Sequence, residues 1–158
     1  MAKATRATLF LVKAGVAFTV HSYDYDPGAE SVGLQAADAL GEDPAKVLKT
    51  LMVLLDGKPA CAILPSDHEL SMKRFAASLG GKSAQMMPVP QAERLSGYKV
   101  GGVSPFGQPK VLPVAIEAAA FAHERVYING GQRGLQVRLD PNEALRVLGA
   151  VAAPIVAD

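Results

Sequence analysis

Read as a pattern of apolar and polar positions, the chain divides into short segments whose period keeps changing. Residues 17–23, Ala-Phe-Thr-Val-His-Ser-Tyr, alternate in the manner of a half-buried strand. His21 and Tyr23 then share a face, because side chains two apart along a strand point the same way. That face is either the wall of a site or ordinary solvent-facing strand. From Leu48 to Leu55 the alternation fades, as in a strand buried on both faces, and the run ends at the turn pair Asp56-Gly57. Residues 59–64 return as its hairpin partner, with Pro59 suited to a strand start. Further strands are expected over 84–87, 111–117, 125–128 and 135–139, the last two joined by Asn129-Gly-Gly-Gln-Arg-Gly134.

Helical spacing with capping residues separates these strands. Thr5 caps a helix through Lys13, with Leu9, Val12 and Phe10 on its inner face and Gly15 closing it. Ser31 starts a second helix through Ala39, and Pro44 opens a short turn. Ser71 caps a helix over 72–79, residues 88–95 suit a helix with prolines in its first turn, and Asp140 with Pro141 starts a last helix ending at Leu148. Strands outnumber helices, and hairpin spacing mixes with intervening helices. The expected class is α+β, with a mixed, largely antiparallel sheet that closes in a β-barrel-like manner and is flanked by helices.

Composition narrows the picture. The 158 residues suit one domain over residues 1–158, and 49% hydrophobic with 20% charged residues is globular composition. Cys61 is the single cysteine; it can form no internal disulfide and reads as a buried, inert thiol, which points to a reducing, cytoplasmic setting. No apolar run approaches a membrane span and no signal-peptide pattern opens the chain, so no membrane partner is expected. A net charge of +1 means that any nucleic acid is held by local contacts and not by a large positive field.

Lys49 and Thr50 interrupt the apolar strand. An ammonium there either snorkels to water or binds an anion in a pocket, since an unpaired buried charge costs several kcal/mol, roughly. The loop over 96–109 is long and unusual in composition. Gly101 and Gly102 let its backbone adopt positive φ or approach a ligand, although a tight structural turn explains the pair equally well. Lys73, Arg74 and Lys82 form either a basic patch or a solvated helix face. No Cys/His cluster at metal spacing, nucleophile elbow or phosphate-binding loop is present, and neither metal nor cofactor is expected.

Three motifs, Lys46-Val-Leu-Lys49-Thr50-Leu, Ser96-Gly-Tyr-Lys-Val-Gly101-Gly-Val-Ser-Pro105-Phe-Gly107 and Gly130-Gly-Gln-Arg-Gly134-Leu, resemble in order and spacing those of the YbaK/EbsC family. That family includes the editing domain of bacterial prolyl-tRNA synthetases and free-standing aminoacyl-tRNA deacylases. The resemblance implies a β-barrel-like sheet, an aminoacyl-tRNA substrate bound by its acceptor end, prolyl-tRNA synthetase as a partner, and Cys-tRNA(Pro) as the ester hydrolysed, with alanine as another removable amino acid. A non-catalytic nucleotide- or anion-binding module is the reading from a different class. By the resemblance Lys49 and Gly101 are the catalytic positions, Lys49 holding a phosphate or orienting the aminoacyl end. Tyr23, Val32, Thr50, Gly102, Pro105, Asn129 and Gln136 are the substrate-binding positions. Three of these depart from the family pattern: Asn129 stands for a common serine, Gln136 for an aspartate and Val32 for an aromatic.

Overall fold

The computed structural model describes residues 4–28 and 32–158, with backbone alone at 32 and 33. The expected helix start at Ser31 and the side chain of Val32 lie outside the described residues. In chain order the elements are α1 (Arg6–Lys13), β1 (Phe18–Ser22), α2 (Val32–Leu40), a 3-10 turn (Pro44–Lys46), β2 (Leu48–Leu55), β3 (Lys58–Pro65), α3 (Met72–Ser78), β4 (Ala84–Met86), α4 (Val89–Ser96), β5 (Val114–Glu117), a second 3-10 turn (Ala118–Ala122), β6 (Val126–Asn129), β7 (Leu135–Leu139), α5 (Pro141–Leu148) and β8 (Val151–Ala153). Among the described residues no helix is long and apolar enough to cross a membrane.

The strands form two sheets, a three-stranded one in the order β1-β7-β6 and a five-stranded one in the order β4-β2-β3-β5-β8. The first is antiparallel throughout; in the second β3-β5 and β5-β8 are parallel and the rest antiparallel. The expected barrel-like closure is therefore corrected. The α+β class and the mixed sheet hold, but the sheet stays open. Closure would need a continuous ladder around the ring. Among the described residues the two sheets meet at one parallel bridge, Val47 to Tyr127, beyond which β2 and β6 separate and a cavity lies between them.

The fading alternation of the central hairpin has a simple cause. Successive residues of β3 enter two different cores: Cys61 and Ile63 pack into one cluster with Phe106, Ile128 and Leu139, while Ala60, Ala62 and Leu64 pack into another with Phe75 and Ile155. Both faces of the five-stranded sheet are covered, so both registers of the strand are apolar. The hairpin turn has Asp56 at φ 50 and Gly57 at φ 82, the positive pair a two-residue turn requires. Asp56 also accepts the amide hydrogens of Lys82 and Ser83, fastening the turn to the start of β4.

Several local expectations are revised. Thr5 caps α1 as expected, with its hydroxyl accepting from the Thr8 amide, but the buried face is Ala7, Thr8 and Leu11. Leu9 and Val12 are 59% and 65% exposed, because the helix docks its small-residue side onto the loop at Gly107 and Gly131. The strand expected from Val111 begins only at Val114, and Val111 itself stands in solvent. β8 and the second 3-10 turn have too short an apolar pattern to show in sequence; β8 owes its place to parallel pairing with β5. Of the two readings of Lys73, Arg74 and Lys82, the basic patch is weakened: Arg74 pairs with Asp158 at 2.9 Å and donates to the Val156 carbonyl.

Cys61 is fully buried, and burial pushes its thiol up to about 12. At about pH 8 the reactive thiolate is then almost absent. We expect thiol reagents to leave the folded protein unlabelled and to modify Cys61 only on unfolding, so that labelling in a urea series tracks the unfolding transition. Rapid labelling without denaturant would contradict this burial.

Candidate functional site

The site begins at an open edge. One edge of β2 pairs with β3 along its whole length. The other edge meets β6 at Val47 and β4 only from Val53 onward, so the stretch between pairs with no strand among the described residues. A cavity of about 300 Å³ lies against this gap. Lys49 and Thr50 point to opposite faces of the strand, and both line the cavity because it wraps around the unpaired edge.

Lys49 is half-buried and makes no ion pair among the described residues. Burial lowers its ammonium below the ordinary lysine value, with Glu69 and Asp67 opposing the shift from a distance. Across the cavity stand Asn129 and Gln136, which face each other in register on β6 and β7 and are 7% and 3% exposed. His21 is opposite Gln136 on β1, so the face that carries His21 and Tyr23 is the face that forms this wall.

Three buried polar atoms have no hydrogen-bond partner among the described residues: Thr50 Oγ1, Gln136 Oε1 and the Tyr23 hydroxyl. The first two belong to cavity-lining residues. Tyr23 does not line the cavity; its hydroxyl lies beside Gln136, near enough for electrostatic influence but outside hydrogen-bond geometry, and burial raises its pKa above the ordinary tyrosine value. A buried orphan of this kind costs about 1–3 kcal/mol, and a polar ligand would relieve it.

The glycine loops supply the remaining wall. Gly101 has φ +94, and a Cβ there would meet the Tyr25 hydroxyl at 2.8 Å. Its amide hydrogen, like those of Val103 and Ser104, donates to no protein atom among the described residues, whereas the Gly102 amide is taken by the Lys99 carbonyl at 2.8 Å. Gly102 is instead needed for packing: a Cβ there would lie 2.7 Å from the Arg133 backbone nitrogen. Asn129 joins the two loops. Its Oδ1 accepts from the amides of Gly131 and Gln132 at 2.7 and 3.2 Å, and its Nδ2 donates to the Gly101 carbonyl at 3.2 Å. Arg133 adds a second tie through Nε to the Val100 carbonyl at 2.9 Å.

Of the residues singled out in sequence, Lys49, Thr50, Gly101, Asn129 and Gln136 converge on this cavity. Gly102 and Tyr23 stand behind its walls. Pro105 is buried and lines a different, smaller cavity with Phe10 and Leu112. The opposite, apolar wall was absent from the sequence reading: Met52, Met86, Met87, Val89, Val100 and Val103. The adjacent pair Met86-Met87 at a strand-to-helix junction was its one faint signal, since flexible thioethers suit adaptable surfaces.

This arrangement can place a polar group between Lys49, Thr50 and Gln136, an oxyanion near the Gly101 amide, and a small apolar side chain on the methionine wall. The family model described as "Aminoacyl-tRNA editing domain" matches residues 26–147. The chain belongs to the aminoacyl-tRNA editing domain family, of the YbaK/EbsC type related to the editing domain of prolyl-tRNA synthetase. Its general activity is that of the trans-editing deacylases, removal of an amino acid from tRNA. EbsC of Enterococcus faecalis, a proposed Cys-tRNA(Pro)/Cys-tRNA(Cys) deacylase, is 31% identical over 128 residues, 80% of this chain and 76% of that protein. A proline–tRNA ligase of Acidithiobacillus ferrooxidans is 33% identical over 95 residues, 60% of this chain but only 16% of the ligase. In fold, the chain is similar to the crystal structure of a proposed trans-editing enzyme for prolyl-tRNA synthetase, with a TM-score of 0.81 and 20% identity over 97% of this chain and 96% of that one.

Two substitutions separate site from scaffold. Thr50→Val removes an orphaned hydroxyl with little change of shape, so stability in urea should stay level or rise by up to about 1 kcal/mol while deacylation falls. Gly102→Ala should cost about 1–3 kcal/mol, because a backbone atom must move to admit the methyl group. A stable, fully active G102A variant would mean that the two loops are not held together as described.

Proposed function

We propose that this protein acts in trans on mischarged tRNA and that Cys-tRNA(Pro) is its principal substrate. The observation that carries the reading is that one cavity is lined by the half-buried Lys49 ammonium, by the orphaned Thr50 and Gln136 oxygens and by the undonated Gly101 amide, none of them with a partner among the described residues. The name of the E. faecalis relative supports the choice of cysteine.

The proposed chemistry needs no protein nucleophile. The substrate's own thiol attacks its carbonyl carbon, forming an S–C bond and breaking the ester C–O bond. The thiol proton ends on the ribose oxygen, and a cyclic thiolactone leaves for hydrolysis by water. The protein contributes position and charge: Lys49 attracts the anionic end of the substrate or the developing oxyanion, and the Gly101 amide donates to that oxyanion. Gln136 Oε1 and Thr50 Oγ1 accept from the substrate's α-ammonium group. An amide in place of a carboxylate here weakens that attraction without abolishing it. The cysteine side chain rests toward Met52 and Met87. For alanyl esters water takes the thiol's place and the same donors serve. The setting is the cytoplasm, with prolyl-tRNA synthetase as the source of the mischarged tRNA. Discrimination at its own active site is limited to about 1–3 kcal/mol per methylene, which leaves errors for a second site to remove.

The test is release of amino acid from tRNA(Pro) charged separately with cysteine, alanine and proline. We expect fast loss of cysteine alone, and a fall of about 10²-fold or more in kcat/KM for Lys49→Ala with unchanged stability. Loss of alanine but not cysteine would move the specificity and leave the reaction in place. Tight binding of nucleotide without turnover of any ester would favour a binding module. Because burial lowers the Lys49 ammonium, raising the pH neutralises it earlier than an exposed lysine. The rate advantage of wild type over Lys49→Ala on the cysteinyl ester should decline with an apparent midpoint below 10.5; an advantage that stays flat to that pH would remove the charge of Lys49 from the mechanism.

A further inference from the structure

A second cleft, of about 320 Å³, opens on the same face of the three-stranded sheet. Tyr127 and Arg138 form the register pair next to Asn129 and Gln136, and the two pairs lie two residues apart along β6 and β7. One pair lines the cavity and the other lines the cleft. The separation is therefore about 7 Å along the strands, comparable to one nucleotide of extended backbone.

The cleft gathers three permanent cations, Lys46, Arg125 and Arg138, with His123 beside them. Two carboxylates are present, Glu42 and Glu124, yet none of the three cations forms an ion pair among the described residues. The Glu42 carboxylate accepts instead from the Tyr127 hydroxyl at 3.2 Å, and Arg125 donates to the Glu124 backbone carbonyl at 2.8 Å. The Arg138 guanidinium stands over the Tyr127 ring, 5.7 Å from its centre, with the His21 ring edge-on to the same tyrosine at 5.2 Å. Elsewhere Arg74 and Arg146 each find a carboxylate at 2.8–2.9 Å. Cations collected in a concavity with acids nearby but not engaged are arranged for an external anion.

We infer that this cleft binds the backbone phosphates of the single-stranded acceptor end of tRNA, one nucleotide step from the aminoacyl ester. The inference rests on the deacylase reading for the identity of the anion, because only a polynucleotide is covalently joined to the group that occupies the neighbouring cavity. The apolar lip of that cavity, where Met86, Val89 and Val100 are 40–53% exposed, is a poor exit for phosphates. The cleft offers a charged one, in keeping with the way single strands are held by cationic grooves. A second basic position, Arg133, lies on the other side beside Gly101, but its guanidinium is already engaged with the Val100 carbonyl and the Tyr25 ring.

The experiment compares wild type with Lys46→Gln/Arg138→Gln, Arg125→Gln and Arg133→Gln. Binding of an uncharged acceptor-stem RNA hairpin with a free single-stranded end is followed by fluorescence anisotropy across a salt series. In parallel, deacylation is measured on the charged hairpin and on 3′-aminoacyl-adenosine, which lacks the upstream phosphates. The double variant should bind the hairpin at least about 10-fold more weakly, and its salt slope should shrink by about 0.7 for each phosphate it no longer neutralises. Its kcat/KM should fall on the hairpin ester and stay unchanged on the adenosine ester. Unchanged hairpin affinity and salt slope, a loss confined to Arg133→Gln, or equal loss on both esters would each overturn the inference. If wild type hydrolyses neither ester, the deacylase reading fails, and the binding arm still decides whether the cleft holds RNA.

Discussion

The structure depends on how strand β2 shares its two edges. One edge is fully committed to β3, and among the described residues the other pairs with strands at its ends only, with β6 at Val47 and with β4 from Val53. Unpaired strand edge is costly when buried dry, because backbone donors and acceptors there lose water without gaining partners. The cavity keeps this stretch in contact with solvent or substrate, and it places a lysine where the chain would otherwise carry another apolar residue. The same gap keeps the two sheets from closing into a ring. The open sheet and the site thus have a single cause.

What surrounds the gap is rigid where rigidity matters. Asn129 spends its hydrogen-bonding capacity on backbone atoms of two loops, at Gly101 and at Gly131-Gln132, and Gly102 lets those loops touch backbone to backbone. The Gly101 amide is thereby aimed by a frame and not by its own local turn. On the proposed substrate-assisted reaction, catalysis has only position and electrostatics to draw on, and a frame of this kind would be the chief thing the protein provides. The orphaned oxygens of Thr50 and Gln136 are the converse of that frame, polar atoms kept unsatisfied in the free protein.

Charge is distributed to match. A net charge of +1 hides an uneven arrangement: among the described residues Arg74 and Arg146 pair with carboxylates at the surface, while Lys49 in the cavity and Lys46, Arg125 and Arg138 in the cleft make no ion pair. Long-range attraction for nucleic acid is weak for such a molecule, and short-range contact with a few phosphates is what remains available.

The central hairpin, the capped helices at Thr5, Ser71 and Asp140, and the glycine turns were legible in sequence because their determinants are local: a turn pair needing positive φ, a hydroxyl or carboxylate at a helix start, an apolar run between them. Lys49 stood out for the same reason, as a charge set in an apolar run, whereas Gly101 was singled out from its glycine pair by the family resemblance. The inner face of α1 was misread because Ala7 and Thr8 are small and polar choices dictated by a loop more than ninety residues away, not by the helix's own period. The methionine wall, the remoteness of Pro105 from the cavity, β8 and the open sheet depend on which strands leave an edge unpaired. By itself the sequence determined the locally specified elements and the lysine that breaks the pattern of its strand. Only the tertiary structure decided that the sheets part at Val47, because edge pairing is a competition among distant segments that no local pattern records.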